Sequence, residues 1–303
     1  MDRFEEMRIF VAVAQAQRFS SAARQLALSA PRVTRVVAAL EARLGVVLLQ
    51  RTTRHVQVTE AGRRFLDDAL HLLGQLTEAE AVARGSYVTP QGLVHLTAPV
   101  LFGEYFVTPL LVRYLADHPS VRVRADLVDR PVNLIEEGLD IAVRIAHVPP
   151  DCEHRTIPVG QVRPVVCASP SWLAEHGEPL HPAELEALPA VVVEGGLLGG
   201  QWRFEHATEV IDVTPQPRLR ISTSHAALTA VEVGAGITRL LSYQAAPSEA
   251  AGKVRRVLRA YEPPPVPINI WITSGRERVA SVRTLAEFLA AQLRADPALG
   301  YAP

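Results

Sequence analysis

The sequence predicts a multidomain chain: an all-α-rich, winged helix-turn-helix head, then a long helix, then an α/β module. Three observations predict it. From Arg18 to Gly62, two short helical patterns stand back to back and a short basic hairpin pattern follows. From Gly62 to Ala83, apolar residues recur at alternating spacings of three and four, which is a heptad seam. From Gly92 onward, strand and helix patterns alternate, the mark of an α/β layer architecture.

The elements follow in order. Phe4, Met7, Phe10, Val11 and Ala14 form the apolar stripe of a first helix over 3–16. Ser20 reads as the cap of a second helix that runs through Ser21 to Leu26. Its N-terminus, with Ser20 and Ser21, is suited either to simple capping or to a phosphate. Ser29 caps a third helix, and Pro31 is tolerated in its first turn because the missing N–H has no partner there. Val33, Val36, Val37, Leu40 and Leu44 share one face of that helix. Arg35 lies nearly opposite, beside Pro31, Ala38 and Ala42, with Arg32 and Thr34 on the flanks. A short-chained face tipped with arginine fits a major groove about 12 Å wide.

Charge agrees with this reading. Between Arg18 and Arg54, Arg18, Arg24, Arg32, Arg35, Arg43, Arg51 and Arg54 stand against the single acid Glu41, a local charge of +6 in a chain of formal net charge −1. A local basic patch on a near-neutral protein points to a polyanion, here double-stranded DNA. A solvated arginine face is the blander reading. The hairpin over 46–58 carries Gln50, Arg51, Arg54, His55 and Gln57 on a polar outer side. Arg51 and Arg54 either contact DNA or pair with Glu41 or Glu60.

Thr59 caps a helix expected to reach about Arg84, about 37 Å long. Its stripe of Phe65, Ala69, Leu72, Leu76 and Ala79, widened by Leu66, Leu70 and Leu73, is expected to pair with a second copy. Packing within the chain is the alternative. The stretch 85–91 reads as a hinge. Strands are then expected at 93–98, 121–128, 139–145, 162–168, 190–193, 219–222, 237–241 and 268–273. Helices are expected at 105–116, 132–138, 169–176, 182–187, 224–234 and 279–294.

Apolar content of 48% and charged content of 21% are those of a globular protein, and no apolar run approaches a membrane span. Asp2, Glu5 and Glu6 form no secretory leader pattern, and two cysteines make no disulfide framework, so a cytoplasmic protein with no membrane partner is expected. Cys167 reads as inert core. Cys152, between Asp151 and Glu153, is a poor redox thiol. The sequence holds no metal-ligand spacing, Walker loop, dinucleotide fingerprint or GxSxG, so neither metal, cofactor nor catalysis is expected.

The run Phe19-Ser20-Ser21-Ala22-Ala23-Arg24-Gln25-Leu26, with Leu28-Ser29, Pro31, Val33-Thr34-Arg35, Leu40-Glu41, Leu44-Gly45, Leu48-Leu49, Arg51-Thr52 and Val58-Thr59-Glu60-Ala61-Gly62, resembles the LysR-type transcriptional regulators. The match is dense over about sixty residues and looser beyond. The family often has glutamine where this chain has Ala30, and alanine where it has Arg32. A base-reading amide is therefore absent at Ala30, and Arg32 is a new long donor.

The resemblance implies a winged DNA-binding domain over 1–59, a dimerisation helix and hinge over 60–90, and a two-subdomain module over 91–303. That module is of the periplasmic-binding-protein-like type 2. Subdomain I would span about 91–162 and 267–303, and subdomain II about 163–266. The DNA contacts implied are Ser20, Ser21, Ser29, Ala30, Pro31, Arg32, Thr34, Arg35, Arg51, Arg54 and His55. A small-molecule effector, a small organic or aromatic carboxylate, would sit between the subdomains. Around it the family places the stretches bearing Thr97, Pro99, Val100 and Phe102, Arg144, Trp202 and Arg203, Thr223 and Ser224, and Pro267. Thr97, Thr223 and Ser224 would hydrogen-bond an anion. Arg144 or Arg203 would offer a bidentate fork, and Phe102 and Trp202 would stack. Structural readings stand beside these: Arg144 paired with Glu136, Glu137 or Asp140, and Phe102 and Trp202 in the core. The partners implied are DNA, an effector, further copies of the chain as a homodimer or homotetramer, and RNA polymerase. Two other functions compete with this one: an enzyme on the α/β module with an accessory DNA-binding domain, and a ligand-independent DNA-binding repressor.

Overall fold

The computed structural model describes residues 2–51, 56–83, 89–195, 200–207 and 209–300. The chain divides into two compact units. One comprises Met1–Val94 with Pro119–Arg122 and Val279–Ser281, and the other holds the remainder.

In the first unit, α1 (Arg3–Ala16) is capped by Asp2, whose carboxylate accepts the Phe4 N–H. It buries Ile9, Phe10 and Val13. Phe4, expected in that stripe, is 39% exposed, because the buried face is centred on the C-terminal half of the helix. α2 (Phe19–Gln25) starts earlier than expected: Arg18 is the cap residue and no side chain caps it. Ser20, expected as the cap, therefore lies inside the first turn together with Ser21. α3 (Ala30–Leu44) begins at the expected cap, with the Ser29 hydroxyl accepting the Arg32 N–H. Val33, Val36, Val37 and Leu40 are buried, whereas Leu44 is 38% exposed, the last residue before the helix ends. Gly45 makes that end at φ 69°, a conformation costly for residues with a Cβ.

The wing strands β1 (Leu49–Arg51) and β2 (Val56–Val58) pair antiparallel, and its expected tip lies outside the described residues. α4 (Glu60–Ala83) then begins with the Thr59 hydroxyl accepting the Gly62 N–H. A Cβ on Gly62 would collide with the Leu48 carbonyl oxygen, so glycine is what lets the helix rest on the wing.

The second unit is built on two five-stranded mixed sheets. In the first the strands lie in the order Val121–Leu127, Gly92–Ala98, Ile141–Ile145, Val266–Ile272 and Arg155–Val162, and in the second Pro217–Ile221, Ala190–Val193, Ile237–Leu241, Pro164–Ala168 and Arg255–Val257. β3 (Gly92–Ala98) leads into α5 (Val100–Phe102), a π-helical turn (Gly103–Val107) and α6 (Thr108–Asp117). The helical run thus begins at Val100, not Tyr105, because the Asp129 carboxylate, distant in sequence, accepts the Val100 N–H. β4 (Val121–Leu127) and β5 (Ile141–Ile145) follow. Between them 132–138 forms turns rather than a helix: the Asn133 side chain accepts the N–H groups of Ile135 and Glu136, competing with helical bonding. β6 (Arg155–Val162), which is not among the strands expected from sequence, completes the first sheet.

The chain then enters the second sheet with β7 (Pro164–Ala168), α7 (Pro170–His176) and β8 (Ala190–Val193). An unexpected antiparallel hairpin follows, β9 (Trp202–His206) with β10 (Glu209–Val213). β11 (Pro217–Ile221), α8 (Ser224–Glu232), β12 (Ile237–Leu241), α9 (Ser242–Ala250) and β13 (Arg255–Val257) complete this lobe. β14 (Val266–Ile272) returns to the first sheet between β5 and β6, antiparallel to both, and α10 (Ala280–Arg294) follows. The chain thus passes between the sheets twice, after Val162 and before Val266. Both sheets are mixed rather than purely parallel, because each lobe takes in antiparallel strands at such crossings.

Candidate DNA interface and effector cleft

The exposed face of α3 carries short side chains, Ala30, Pro31, Ala38 and Ala42, with Arg32 and Arg35 rising from it. Thr34 is half-buried beside them. Arg35 makes no ion pair among the described residues. Arg32 donates from Nη2 to Glu5 of α1 at 2.8 Å, and Arg43 donates to Glu6 at 2.6 Å. Ser20 is exposed and Ser21 half-buried. The Arg51 side chain, Arg54 and His55 lie outside the described residues.

The acids considered for the wing arginines are engaged elsewhere. Glu41 accepts the backbone N–H groups of Leu48 and Leu49 at 2.8 and 2.9 Å, tying the wing to α3. Glu60 pairs with Arg64 at 3.0 Å and Arg63 at 3.7 Å. Glu41→Ala therefore leaves two buried donors unpaired and destabilises the head by about 2–4 kcal/mol. Hydrogen exchange checks this: the Leu48 and Leu49 amides lose protection in Glu41→Ala and keep part of it in Glu41→Gln. Unchanged protection in Glu41→Ala contradicts the assignment.

The α4 stripe divides. Ala69 is buried in the head core and Phe65 packs edge-on to Phe10 with ring centroids 5.2 Å apart, so these two are consumed within the chain. Leu72 is 41% exposed and Leu76 half-buried. The Ala79 side chain lies outside the described residues.

In the second unit a cleft of about 380 Å³ opens between the two lobes. Of the residues expected there, Pro99, Arg144 and Ser224 line it. The others do not. The buried Thr97 hydroxyl donates to the Asp126 carbonyl at 2.7 Å and accepts from Arg144 Nη2 at 3.3 Å. Val100 spends its N–H on Asp129 at 3.0 Å. Phe102 is buried between Phe106 and Tyr243, at centroid distances of 4.8 and 5.5 Å. Trp202 is 1% exposed in the second-lobe core with Phe204 and Val213. Arg203 is committed to Asp212 across the hairpin at 3.2 Å and lines a separate depression of about 600 Å³. Thr223 caps α8, accepting the Ala226 N–H. Pro267 sits inside β14, where its carbonyl accepts the Ala146 N–H.

Sequence reading missed Arg239, Tyr243, Gln244, Trp271 and the 128–134 loop, all of which border the cleft. The overlooked signal was a charge, Arg239, inside the otherwise buried strand β12.

Charges of both signs line the cleft: Arg130, Arg144 and Arg239 with Asp129 and Glu194. Neither half-buried Arg144 nor buried Arg239 has a carboxylate partner among the described residues. Arg144 finds only the Val143 carbonyl and the Thr97 hydroxyl. Two of its three expected structural partners are occupied: Glu137 accepts a bidentate pair of hydrogen bonds from Arg130, and Asp140 holds Arg276 at 2.6 Å; among the described residues no ion pair joins Arg144 to Glu136. Burial lowers the Arg144 pKa. Arg239 donates to the Arg203 carbonyl at 2.8 Å and lies 5.5 Å from the Phe204 ring centroid; burial pulls its pKa down to about 10. The indole Nε1 of Trp271 is buried with no hydrogen-bond partner among the described residues. Cys167 is buried core with its thiol pushed up to about 12 by desolvation, and half-buried Cys152 donates weakly to the His154 carbonyl.

Comparison with known families decides the lineage. The LysR substrate binding domain family matches residues 88–294, more than half of the chain, and the bacterial regulatory helix-turn-helix protein, lysR family, matches residues 4–63. This chain belongs to the LysR family of transcriptional regulators. Among LysR-type relatives, an HTH-type transcriptional regulator of Xanthomonas campestris pv. campestris (strain 8004) is 32% identical over 95% of this chain and 85% of its own length. The regulator DmlR of Escherichia coli (strain K12) is 32% identical, covering 94% of this chain and 92% of that protein. Among solved LysR-type structures, CrgA from Neisseria meningitidis aligns with TM-score 0.61 and 28% identity over 95% of this chain and 98% of its own. The full-length Vibrio cholerae virulence activator AphB shares the fold, with TM-score 0.61 and 21% identity, covering 96% of this chain and 99% of that one. The LysR-type plan of a DNA-binding head and an effector-binding domain thus accounts for both units. No helix among the described residues is long and apolar enough to cross a membrane.

Proposed function

We propose that this regulator is controlled by a small organic anion, an aliphatic or aromatic carboxylate, held in the inter-lobe cleft. The observation that carries the reading is Arg144: a largely buried guanidinium on the cleft wall without a carboxylate partner among the described residues. A buried charge is costly until it is paired, and a bidentate carboxylate fits its fork. Ser224, in the first turn of α8, and the Trp271 N–H supply further donors, and Arg239 adds a second positive charge. An anion that prefers one lobe arrangement shifts a pre-existing equilibrium between DNA-binding states.

On the DNA side, the α3 face of Ala30, Pro31, Arg32, Thr34 and Arg35 enters the major groove. Ser29 fixes the helix start, Ser20 and Ser21 approach the backbone, and Arg51, Arg54 and His55 lie along the wing. The protein acts as a homodimer or homotetramer through the exposed part of the α4 stripe, around Leu72 and Leu76. It works in the cytoplasm on nucleoid DNA, without catalytic turnover, and RNA polymerase is its downstream partner.

The test joins both ends. Genome-wide binding by the tagged protein should give sharp dyad-symmetric sites that Arg35→Ala loses. A thermal-shift panel on the purified protein should respond to carboxylates and not to matched amides or amines. Diffuse occupancy unchanged by Arg35→Ala overturns the recognition-helix assignment. A panel without any carboxylate response overturns the anion reading.

A further inference from the structure

We infer that Arg32 reads a guanine and that Glu5, on a different helix, positions it to do so. The inference rests on the DNA-binding reading and adds a sequence-determining pair to it.

Arg32 is the third residue of α3. The N-terminal residues of a recognition helix are those that reach base edges in the major groove. The two helix residues before it are Ala30 and Pro31, and neither side chain has a donor or acceptor. Arg32 is therefore the first side chain of the helix able to hydrogen-bond a base.

Glu5 holds that side chain in place. The Nη2–Oε1 distance is 2.8 Å, and the two side chains keep 54% and 38% of their exposure. Glu6, next to it on α1, makes a superficially similar bond to Arg43, but its side chain keeps only 9%. The adjacent acids thus differ in setting. Glu6 is largely buried and clamps α1 to α3, whereas Glu5 and Arg32 remain in the open at the end of α3.

The pairing has two consequences for DNA. A guanidinium carries five N–H donors, and Glu5 takes one of them. The remaining edge can form the two parallel bonds to guanine O6 and N7. Glu5 also removes rotamer freedom from the arginine before DNA arrives, so less is lost on binding. At the same time its negative charge cancels much of the attraction of Arg32 for phosphates. The pair therefore suits base discrimination better than general affinity, in contrast to Arg35, which has no ion pair among the described residues.

The experiment is selection from a randomised duplex pool by the full-length protein and its variants, followed by titration of the selected duplex at several salt concentrations. Wild type should enrich a motif with a G·C pair in each half-site. In Arg32→Ala and Arg32→Lys, preference at that pair should fall by about 5- to 100-fold while the rest of the motif persists. The lysine result is informative because the charge is kept and the fork is lost. Glu5→Ala should reduce preference at the same pair, while random-sequence binding strengthens and its log–log salt slope steepens by about one, the freed arginine acting as an ordinary phosphate partner. Glu5→Gln, which keeps an acceptor at the same reach, should restore part of the preference. Melting temperatures should barely move, since the pair is exposed.

A motif that survives Arg32→Ala intact, with affinity lowered uniformly, makes Arg32 a backbone contact and overturns the inference alone. Unchanged base preference in Glu5→Ala overturns the positioning role. A wild-type protein that enriches no motif overturns the DNA-reading assignment itself, and this inference with it.

Discussion

Trp202→Ala should strongly destabilise the second lobe while leaving the side chains that line the inter-lobe cleft unchanged. Trp202 opens β9, pairs in register with Val213 of β10, and is 1% exposed. It packs with Phe204, Val213 and Leu185 on the face of the second sheet. Truncating so large a buried aromatic removes its transfer free energy and leaves a cavity, a loss of about 3–5 kcal/mol. Chemical denaturation should show this loss. Carboxylate affinity, measured by calorimetry where the variant is still folded, should stay within about twofold. A drop in affinity above about tenfold with an unchanged denaturation midpoint would return Trp202 to the ligand.

Arg144→Met should move stability and binding in opposite directions. The guanidinium is largely desolvated and is met only by a carbonyl and a hydroxyl, so a methionine of similar reach relieves an unpaired buried charge. Thr97 keeps its bond to the Asp126 carbonyl, so no donor is orphaned by the change. Without ligand, the variant should be at least as stable as wild type, with a gain of about 1 kcal/mol. Its carboxylate affinity should fall by about 100-fold or more, since the partner of the bound anion is gone. Melting curves with and without the carboxylate read both effects in one experiment. Arg144→Lys should recover only part of the affinity, because an ammonium does not offer the planar fork. A destabilised variant that still responds to carboxylates would make Arg144 a structural residue.

The two substitutions separate residues that the sequence places on equal footing. Both Trp202 and Arg144 read as candidates for the ligand, each with a core or ion-pair alternative. The choice depends on neighbours far away in the chain. Trp202 is claimed by a hairpin whose second strand, Glu209–Val213, has a pattern too short and polar to stand out. Arg144 is left without a carboxylate partner among the described residues because Arg130 takes Glu137 and Arg276 takes Asp140, residues 136 positions apart. Nothing local to any of these residues announces those pairings.

The sequence by itself determined whatever depends on short-range spacing. Ser29, Pro31 and the stripe Val33, Val36, Val37 and Leu40 determine where α3 begins and which side is buried. Caps and helical periodicity act within one or two turns. The same holds for the length of α4, for most strands of the effector domain and for the basic character of the head. The tertiary structure alone decided which partner each polar group meets. It bound Glu41 to the wing backbone, Glu5 to Arg32 and Asp129 to the start of α5. It also divided one continuous α4 stripe into Phe65 and Ala69, consumed by the head core, and an exposed Leu72. The physical reason is range. Periodicity and capping are written in consecutive residues, whereas a side chain's electrostatic and packing partners are set by whichever segments the fold brings within a few ångströms.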